Sequence, residues 1–231
     1  MTEGEGPSRQ ELVKPERYSL ERVTIEALTA VKEMPGRMKE FSWPIELHGK
    51  GSTNENEKSM LIRFPKGDIF LSFATTVHEL GHLLQEELTP ALKREEQTHE
   101  NILAQEQDAW DRGWQRFLKS NPDTATSLDV KFQNYRRQGK LQDFSSFEDL
   151  YKYIRENALR MVEAQRILFD EAGEEMPTAN EEKFDQLADE LEKAGVRKFL
   201  ERYNTTRVGE MINEQEMQKF IERTVELVID E

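Results

Sequence analysis

Hydrophobic residues recur with helical spacing through most of this chain. Between residues 72 and 88 they follow one another at steps of four, three, four and four, which places them on one face of an α-helix. These residues are Phe73, Val77, Leu80, Leu84 and Leu88. Ser72 or Thr75 is suited to cap the start of this helix, and Thr89-Pro90 is suited to end it.

The same spacing predicts a helix over residues 19–34 and a long helix over residues 90–119. Further helices are predicted over residues 127–138, 146–171, 181–194, 196–203 and 214–230. Residues 140–231 are therefore expected to be all-helical, and to form either a second domain or a helical cover on the preceding part. Residues 1–17 are polar and proline-containing and are expected to be a loose lead-in.

Three short segments indicate strands instead. Residues 41–48 alternate strictly between apolar and polar, although Pro44 restricts them to a sheet edge or a strand end. Residues 60–64 and 68–73 are two more candidates. The expected fold is α+β but predominantly α: a small, mostly antiparallel sheet lies beside the helix at 72–88 and a glutamate-bearing helix, and an all-helical C-terminal half follows.

Composition restricts the class of protein. The chain has 231 residues, of which 36% are hydrophobic and 34% charged, with a formal net charge of −14. An acidic surface repels nucleic acid and anionic membranes, so neither is an expected partner. There is no cysteine, no apolar run long enough to span a bilayer and no signal-peptide pattern at the start, so we expect a cytoplasmic protein without disulfides.

A metal-binding motif lies within the helix predicted over residues 72–88. It reads His78-Glu79-Leu80-Gly81-His82, the pattern H-E-x-x-H. Residues four apart on a helix are neighbours, so both imidazoles can bind one metal ion while Glu79 reaches an attacking water as general base. Gly81 costs about 1 kcal/mol relative to alanine in a helix, and its lack of a side chain lets another backbone or a substrate approach. The alternative is two surface histidines spaced this way by accident.

A catalytic zinc ion takes three protein ligands and keeps a fourth position for water, so a third ligand is expected outside the motif. The metzincin histidine, six residues after His82, is absent because that position is Leu88. Glu106 lies on the apolar face of the next helix, where a carboxylate needs a partner charge or a metal. Glu106 is therefore the preferred third ligand, with Glu100 as the runner-up and His99 as a further alternative. Such a ligand set also accepts manganese.

Two pieces of the sequence carry a family resemblance. The first is Thr75-x-x-His78-Glu79-Leu80-Gly81-His82-Leu83-Leu84, and the second is Glu106-x-x-Ala109 on the following helix. Together they resemble the gluzincin metallopeptidases, particularly the small ImmA/IrrE-type group, over roughly residues 19–119. The resemblance implies a metallopeptidase-like core over residues 1–139, followed by the helical region at 140–231.

The resemblance also implies an activity and a cofactor. The chain would be a zinc-dependent endopeptidase that binds one zinc ion through His78, His82 and Glu106, with Glu79 as base and acid and a peptide or protein as substrate. The sequence departs from the family in places. Thermolysin-like gluzincins carry an Asp four residues after the glutamate ligand to orient a histidine, and here that place is Trp110. Arg112-Gly113 likewise replaces the usual Phe-Ala.

Several aromatic residues are candidates for contacting the substrate. A zinc peptidase needs a donor to the oxyanion, and the sequence does not choose among Tyr135, Tyr151, Tyr153 and His99. Trp110 and Trp114 lie one turn apart and either line a substrate pocket or pack in the core, which is the favoured interpretation. The strand predicted at 68–73 would pair with an extended substrate.

Two other functions stay open. One is a non-catalytic, zinc-stabilised interaction protein that uses its helical half as a binding surface. The other is a latent regulatory or toxin-type protease that needs a partner for activity. The oligomeric state is not indicated by the sequence.

Overall fold

The computed structural model contains a small sheet and a larger set of helices. It describes residues 22–28, 37, 52–54, 59–65, 69–88, 98–170, 181–206, 208 and 214–226. Strand β1 is Arg22–Leu28, β2 is Ser52–Asn54 and β3 is Ser59–Pro65. Strand β3 lies in the middle, parallel to β1 along its whole length and antiparallel to β2 over its first half.

The described helices follow the sheet in sequence. They are α1 (Ile69–Leu88), α2 (His99–Ser120), α3 (Pro122–Arg137), α4 (Phe147–Ala164), α5 (Glu181–Lys193), α6 (Val196–Thr206) and α7 (Glu214–Glu226). A 3-10 helix, Gln165–Leu168, directly continues α4. Among the described helices, none combines the length and the apolar character needed to cross a lipid bilayer.

The expected α+β class with a mostly antiparallel sheet is wrong. In the described part of residues 69–226 the chain forms helices and no strand, so the body of the protein is essentially all-helical. The described sheet is confined to residues 22–65, and its longer pairing is parallel rather than antiparallel. A short apolar run such as residues 68–73 fits either a strand or a turn of buried helix, and its pattern alone does not distinguish them.

Two local predictions are wrong. The helix predicted over residues 19–34 is wrong at β1, where Val23, Thr24 and Ile25 are β-branched and favour extended backbone. Pairing of β1 with β3, distant in sequence, completes that strand, and no local pattern reveals it. The strand predicted over residues 68–73 is also wrong, because α1 begins at Ile69. The idea that this segment pairs with a substrate as a strand therefore fails with it.

The remaining predictions fared better. The strand at residues 60–64 is confirmed by β3, and the one at 41–48 lies outside the described residues. Helix α2 begins at His99, where the hydroxyl of Thr98 accepts a hydrogen bond from the backbone N–H of Asn101; the preceding residues 90–97 lie outside the described part. Helix α3 begins earlier than expected, at Pro122, because proline suits the first turn of a helix.

One hydrophobic core joins the described helices. Phe70 at the start of α1 packs among the rings of Phe132, Tyr135 and Phe147, which come from α3 and α4. Buried residues of α5, α6 and α7 belong to the same cluster. Residues on both sides of the predicted boundary at 139 therefore share a core, while the choice between a cover and a second domain stays a prediction.

Candidate metal centre

Helices α1 and α2 cross with their backbones in direct contact. A Cβ atom built at Gly81 of α1 would overlap the carbonyl of Ala109 on α2. A Cβ atom built at Gly113 of α2 would overlap the carbonyl of Val77 on α1. Only glycine permits an approach this close, so the two glycines set the distance between the helices. Of the two neighbours expected for Gly81, a backbone or a substrate, the structure places a backbone there.

The side chains of His78, His82 and Glu106 converge beside this crossing. The Nε2 atom of His78 lies 3.2 Å from Oε2 of Glu106, and Nε2 of His82 lies 3.4 Å from Oε1 of Glu106. The two imidazole Nε2 atoms are 3.2 Å apart. One ligand atom from each residue lies within 4.8 Å of the other two. The crossing therefore presents two nitrogens and one carboxylate to a common point.

These separations fit a tetrahedral ion. Two ligands bound to zinc at 2.0–2.1 Å with tetrahedral angles are about 3.3 Å apart. The pairs measured here, at 3.2 to 3.4 Å, are close to that value. In addition, Oε2 of Glu106 is enclosed and directed at His78, as expected of an atom placed to share an ion with that imidazole. The donor set fits zinc.

The three side chains differ in exposure. The side chain of His78 is 2% exposed, whereas those of His82 and Glu106 are 27% and 21% exposed. One ligand is thus held in the core while the other two face outward. An ion bound here would have protein on one side and an approach from solvent on the other, as an open coordination position requires.

The cluster attracts positive charge. Burial raises the pKa of Glu106, but hydrogen bonds and charge from His78 and His82 outweigh it and hold that pKa well below its ordinary value. Burial also opposes protonation of His82, yet hydrogen bonding and charge from Glu106, and the charge of Glu79, outweigh it and raise the pKa of His82. A carboxylate that stays ionised between two imidazoles is stabilised either by a proton on an imidazole or by a metal cation.

Glu79 lies on the same helix between the two histidines. Glu79 is only 6% exposed, and its negative charge contributes to the raised pKa of His82. Glu79 is thus a buried carboxylate whose charge reaches His82.

Aromatic rings fix the orientation of His78. Its ring stacks on the indole of Trp110, with centroids 4.4 Å apart and planes inclined by 22°. Tyr151 in turn packs edge-on against Trp110 and donates its hydroxyl hydrogen to the Trp110 carbonyl at 2.8 Å. Trp114 also stacks on Tyr151, with ring centroids 4.2 Å apart. Trp110 is therefore buried in the core behind a ligand.

The other residues proposed from sequence lie elsewhere. His99 pairs through Nε2 with the carbonyl of Val162 at 2.9 Å, and it precedes Glu106 by about two turns of α2. Tyr135 packs on Phe70, whose position is about 12 Å along α1 from His78.

Three further candidates are also away from the cluster or committed to other contacts. Tyr153 packs between Phe144 and Phe199. Glu100, the runner-up ligand, is exposed in the first turn of α2 and does not belong to the cluster. Burial raises the pKa of Tyr151 well above its ordinary value, so its hydroxyl stays protonated and bonded to the carbonyl of Trp110.

The polar side chain of Gln85, next to His82, was not predicted from the sequence to belong to the site. The Nδ1 atom of His82 lies 3.1 Å from Oε1 of Gln85. The amide nitrogen of Gln85 donates to the carbonyl of Gln105 at 2.6 Å and to Oδ2 of Asp108 at 2.8 Å. The available signal was spacing, since a residue three after a ligand histidine shares its helical face.

Comparison with known proteins gives no family. The chain matches no protein-family model, no curated protein and no solved structure. The likeness to gluzincin metallopeptidases therefore rests on the two motifs alone.

Proposed function

We propose that this chain is a zinc-dependent endopeptidase of gluzincin type. The observation that carries the proposal is the convergence of His78, His82 and Glu106 on one point, with distances that fit a single tetrahedral ion. Three protein ligands, two of them partly open to solvent, are the arrangement typical of catalytic rather than structural zinc.

The residues of the chain would divide the work as follows. His78, His82 and Glu106 would hold the ion, which when bound supplies a Lewis acid for water and for the peptide carbonyl. The carboxylate of Glu79 takes a proton from the attacking water and delivers it to the leaving amine.

The decisive test changes Glu79 to Gln, which keeps the shape of the side chain and removes its basicity. We expect cleavage of a broad peptide library, followed by mass spectrometry, to fall by about 100- to 10,000-fold while zinc stays bound. The matched control is Glu100→Gln, the same chemical change at an exposed position on α2, which should alter neither quantity. Cleavage by Glu79→Gln at the wild-type rate would contradict the mechanism.

A second function is favoured by one observation. His78 and His82 belong to α1 and Glu106 to α2, so an ion bound by all three cross-links the two helices and stabilises the fold. A non-catalytic, zinc-stabilised interaction protein would need nothing more. It predicts that zinc raises the melting temperature of the wild type while no peptide of the library is cut.

A further inference from the structure

We infer that Gln85 is a positioning residue for the metal site, acting on His82 through a hydrogen-bonded chain that continues to Asp108 and Arg112. This inference rests on the proposed metal centre and concerns how the second histidine is held in place. Gln85 itself is 1% exposed, although it is a polar residue. A buried polar side chain is stabilised only when its hydrogen bonds are satisfied. The amide of Gln85 bonds to His82 and Asp108 within this hydrogen-bonded chain, and also to the carbonyl of Gln105.

The neighbours of Gln85 determine which way its amide faces. The carbonyl of Gln105 and the carboxylate of Asp108 are both acceptors, so the group that faces them is the NH2 of the amide. The amide oxygen is consequently directed at Nδ1 of His82. Arg112 donates from Nε to the same oxygen of Asp108 at 2.5 Å, which holds that carboxylate in place.

An amide oxygen in this position specifies the state of the imidazole. It accepts a hydrogen bond, so Nδ1 of His82 must carry a hydrogen, and the lone pair of Nε2 is left for the ion. An amide also orients the ring without placing a second negative charge beside it. Trp110 stacks on His78 while the amide of Gln85 faces His82, so each histidine has a supporting side chain of its own.

His82 needs such a partner more than His78 does. The ring of His78 is enclosed and stacked on an indole, whereas the side chain of His82 is 27% exposed. Packing therefore restrains one ligand, and a directed hydrogen bond restrains the other.

Zinc affinity of a Gln85→Ala variant provides the first test. Loss of a side chain that hydrogen-bonds to a metal ligand commonly weakens metal binding by about 10- to 100-fold. We expect a loss of this size here in a chelator-competition titration. The matched control is Gln107→Ala, which removes an exposed glutamine from α2 next to Glu106 and should leave the affinity unchanged.

Two more variants separate positioning from general damage to the fold. Gln85→Glu keeps an acceptor for His82 but turns an oxygen toward Asp108 and the carbonyl of Gln105, so it should bind zinc as poorly as Gln85→Ala. In a His82→Ala background, replacing Gln85 should have no further effect on zinc affinity, because its target is gone. An equal loss in both backgrounds would overturn the inference.

The hydrogen bond can also be tested without a metal. At neutral pH the Nδ1 hydrogen of His82 should give an NMR signal protected from solvent exchange in the wild type and in Gln107→Ala, and this signal should be lost in Gln85→Ala. If wild-type protein binds no zinc, the proposed function fails, and this signal still decides the role of Gln85. If zinc binds and Gln85→Ala retains both the signal and the affinity, only the role of Gln85 is rejected.

Discussion

The two halves of helix α1 are packed in different ways. In the N-terminal half, Phe70 meets the rings of Phe132, Tyr135 and Phe147 at centroid distances of 5.4, 6.0 and 5.6 Å. In the C-terminal half, the contact at Gly81 is between helix backbones, with no side chain between them. The N-terminal half thus packs through large side chains, whereas the C-terminal half, besides its buried leucines, makes a direct contact of main chains at Gly81.

Stability and ligand geometry therefore depend on different parts of one helix. Burial of large aromatic side chains contributes most of the free energy of packing, and their rings can shift slightly without losing it. A contact between backbones contributes less free energy but fixes the spacing of the helices. The metal ligands lie at the second kind of contact, where a displacement of a few tenths of an ångström matters most.

The largest effect on stability is expected in the N-terminal half of α1, where Phe70 packs among aromatic rings. Phe70→Ala should lower the free energy of unfolding by about 3–5 kcal/mol, because it leaves a cavity among three rings. Since Phe70 lies about 12 Å along the helix from His78, zinc affinity of the folded variant should stay within about twofold of wild type. Urea unfolding and zinc titration measure the two quantities. A parallel loss of both would show that the halves of α1 are not separable.

Zinc bound by His78 and His82 should also stabilise the fold, independently of the aromatic contacts of Phe70. At a free zinc concentration about 100 times its dissociation constant, the free energy of unfolding should rise by about 2.7 kcal/mol relative to protein treated with a chelator. The increment should persist in Phe70→Ala and be absent from a variant in which both His78 and His82 are alanine. Calorimetry with and without chelator makes the comparison, and equal melting temperatures would argue against a metal site.

The backbone contact is broken by Gly113→Ala. The added Cβ would overlap the carbonyl of Val77, so the helices must separate, at a cost of about 1–3 kcal/mol of stability. Unlike Phe70→Ala, this change should also weaken zinc binding, because it moves Glu106 away from the two histidines.

Gly139→Ala serves as the control for that variant. Gly139 has a φ of 85°, so alanine there strains the backbone, while its Cβ would meet no atom within 4 Å. It should lose stability of a similar size and keep wild-type zinc affinity. Unchanged zinc binding in Gly113→Ala would refute the assignment of ligand spacing to the glycines.

The smallest effect is the pH dependence of the metal-free protein. The raised pKa of His82 stabilises the fold fully below the unfolded value of 6.5, and this contribution is lost as pH rises through the folded pKa. The lowered pKa of Glu106 contributes above its unfolded value of 4.5 and is lost as pH falls. The pair therefore stabilises most between these values.

The expected size is no more than about 1 kcal/mol, since the pair is partly exposed. With zinc bound the dependence on His82 should reverse, because the ion requires a neutral imidazole. Unfolding of metal-free and zinc-loaded protein across pH 4 to 8 tests whether the effect of His82 on stability has opposite pH dependence in the two forms. His82→Ala should abolish this difference between the two pH profiles.

The sequence alone predicted the features of the site that depend on helical spacing within one helix. The period of apolar residues predicted a helix around His78 and His82, and helical spacing placed both imidazoles on one face. The apolar face of the next helix singled out Glu106 over Glu100 on the argument that a buried carboxylate needs a partner, and the structure brings Glu106 to both histidines.

Tertiary structure decided what depends on residues distant in the chain. Residues 22–28 form a strand because β3 pairs with them, which outweighs their helical period. The distance between the ligands follows from the contact of two glycines with the opposite backbone, and neither glycine reveals its partner in the sequence. Gln85 acquires its contact with Asp108 only after the helices cross, because hydrogen bonds between side chains require a geometry that linear spacing does not encode.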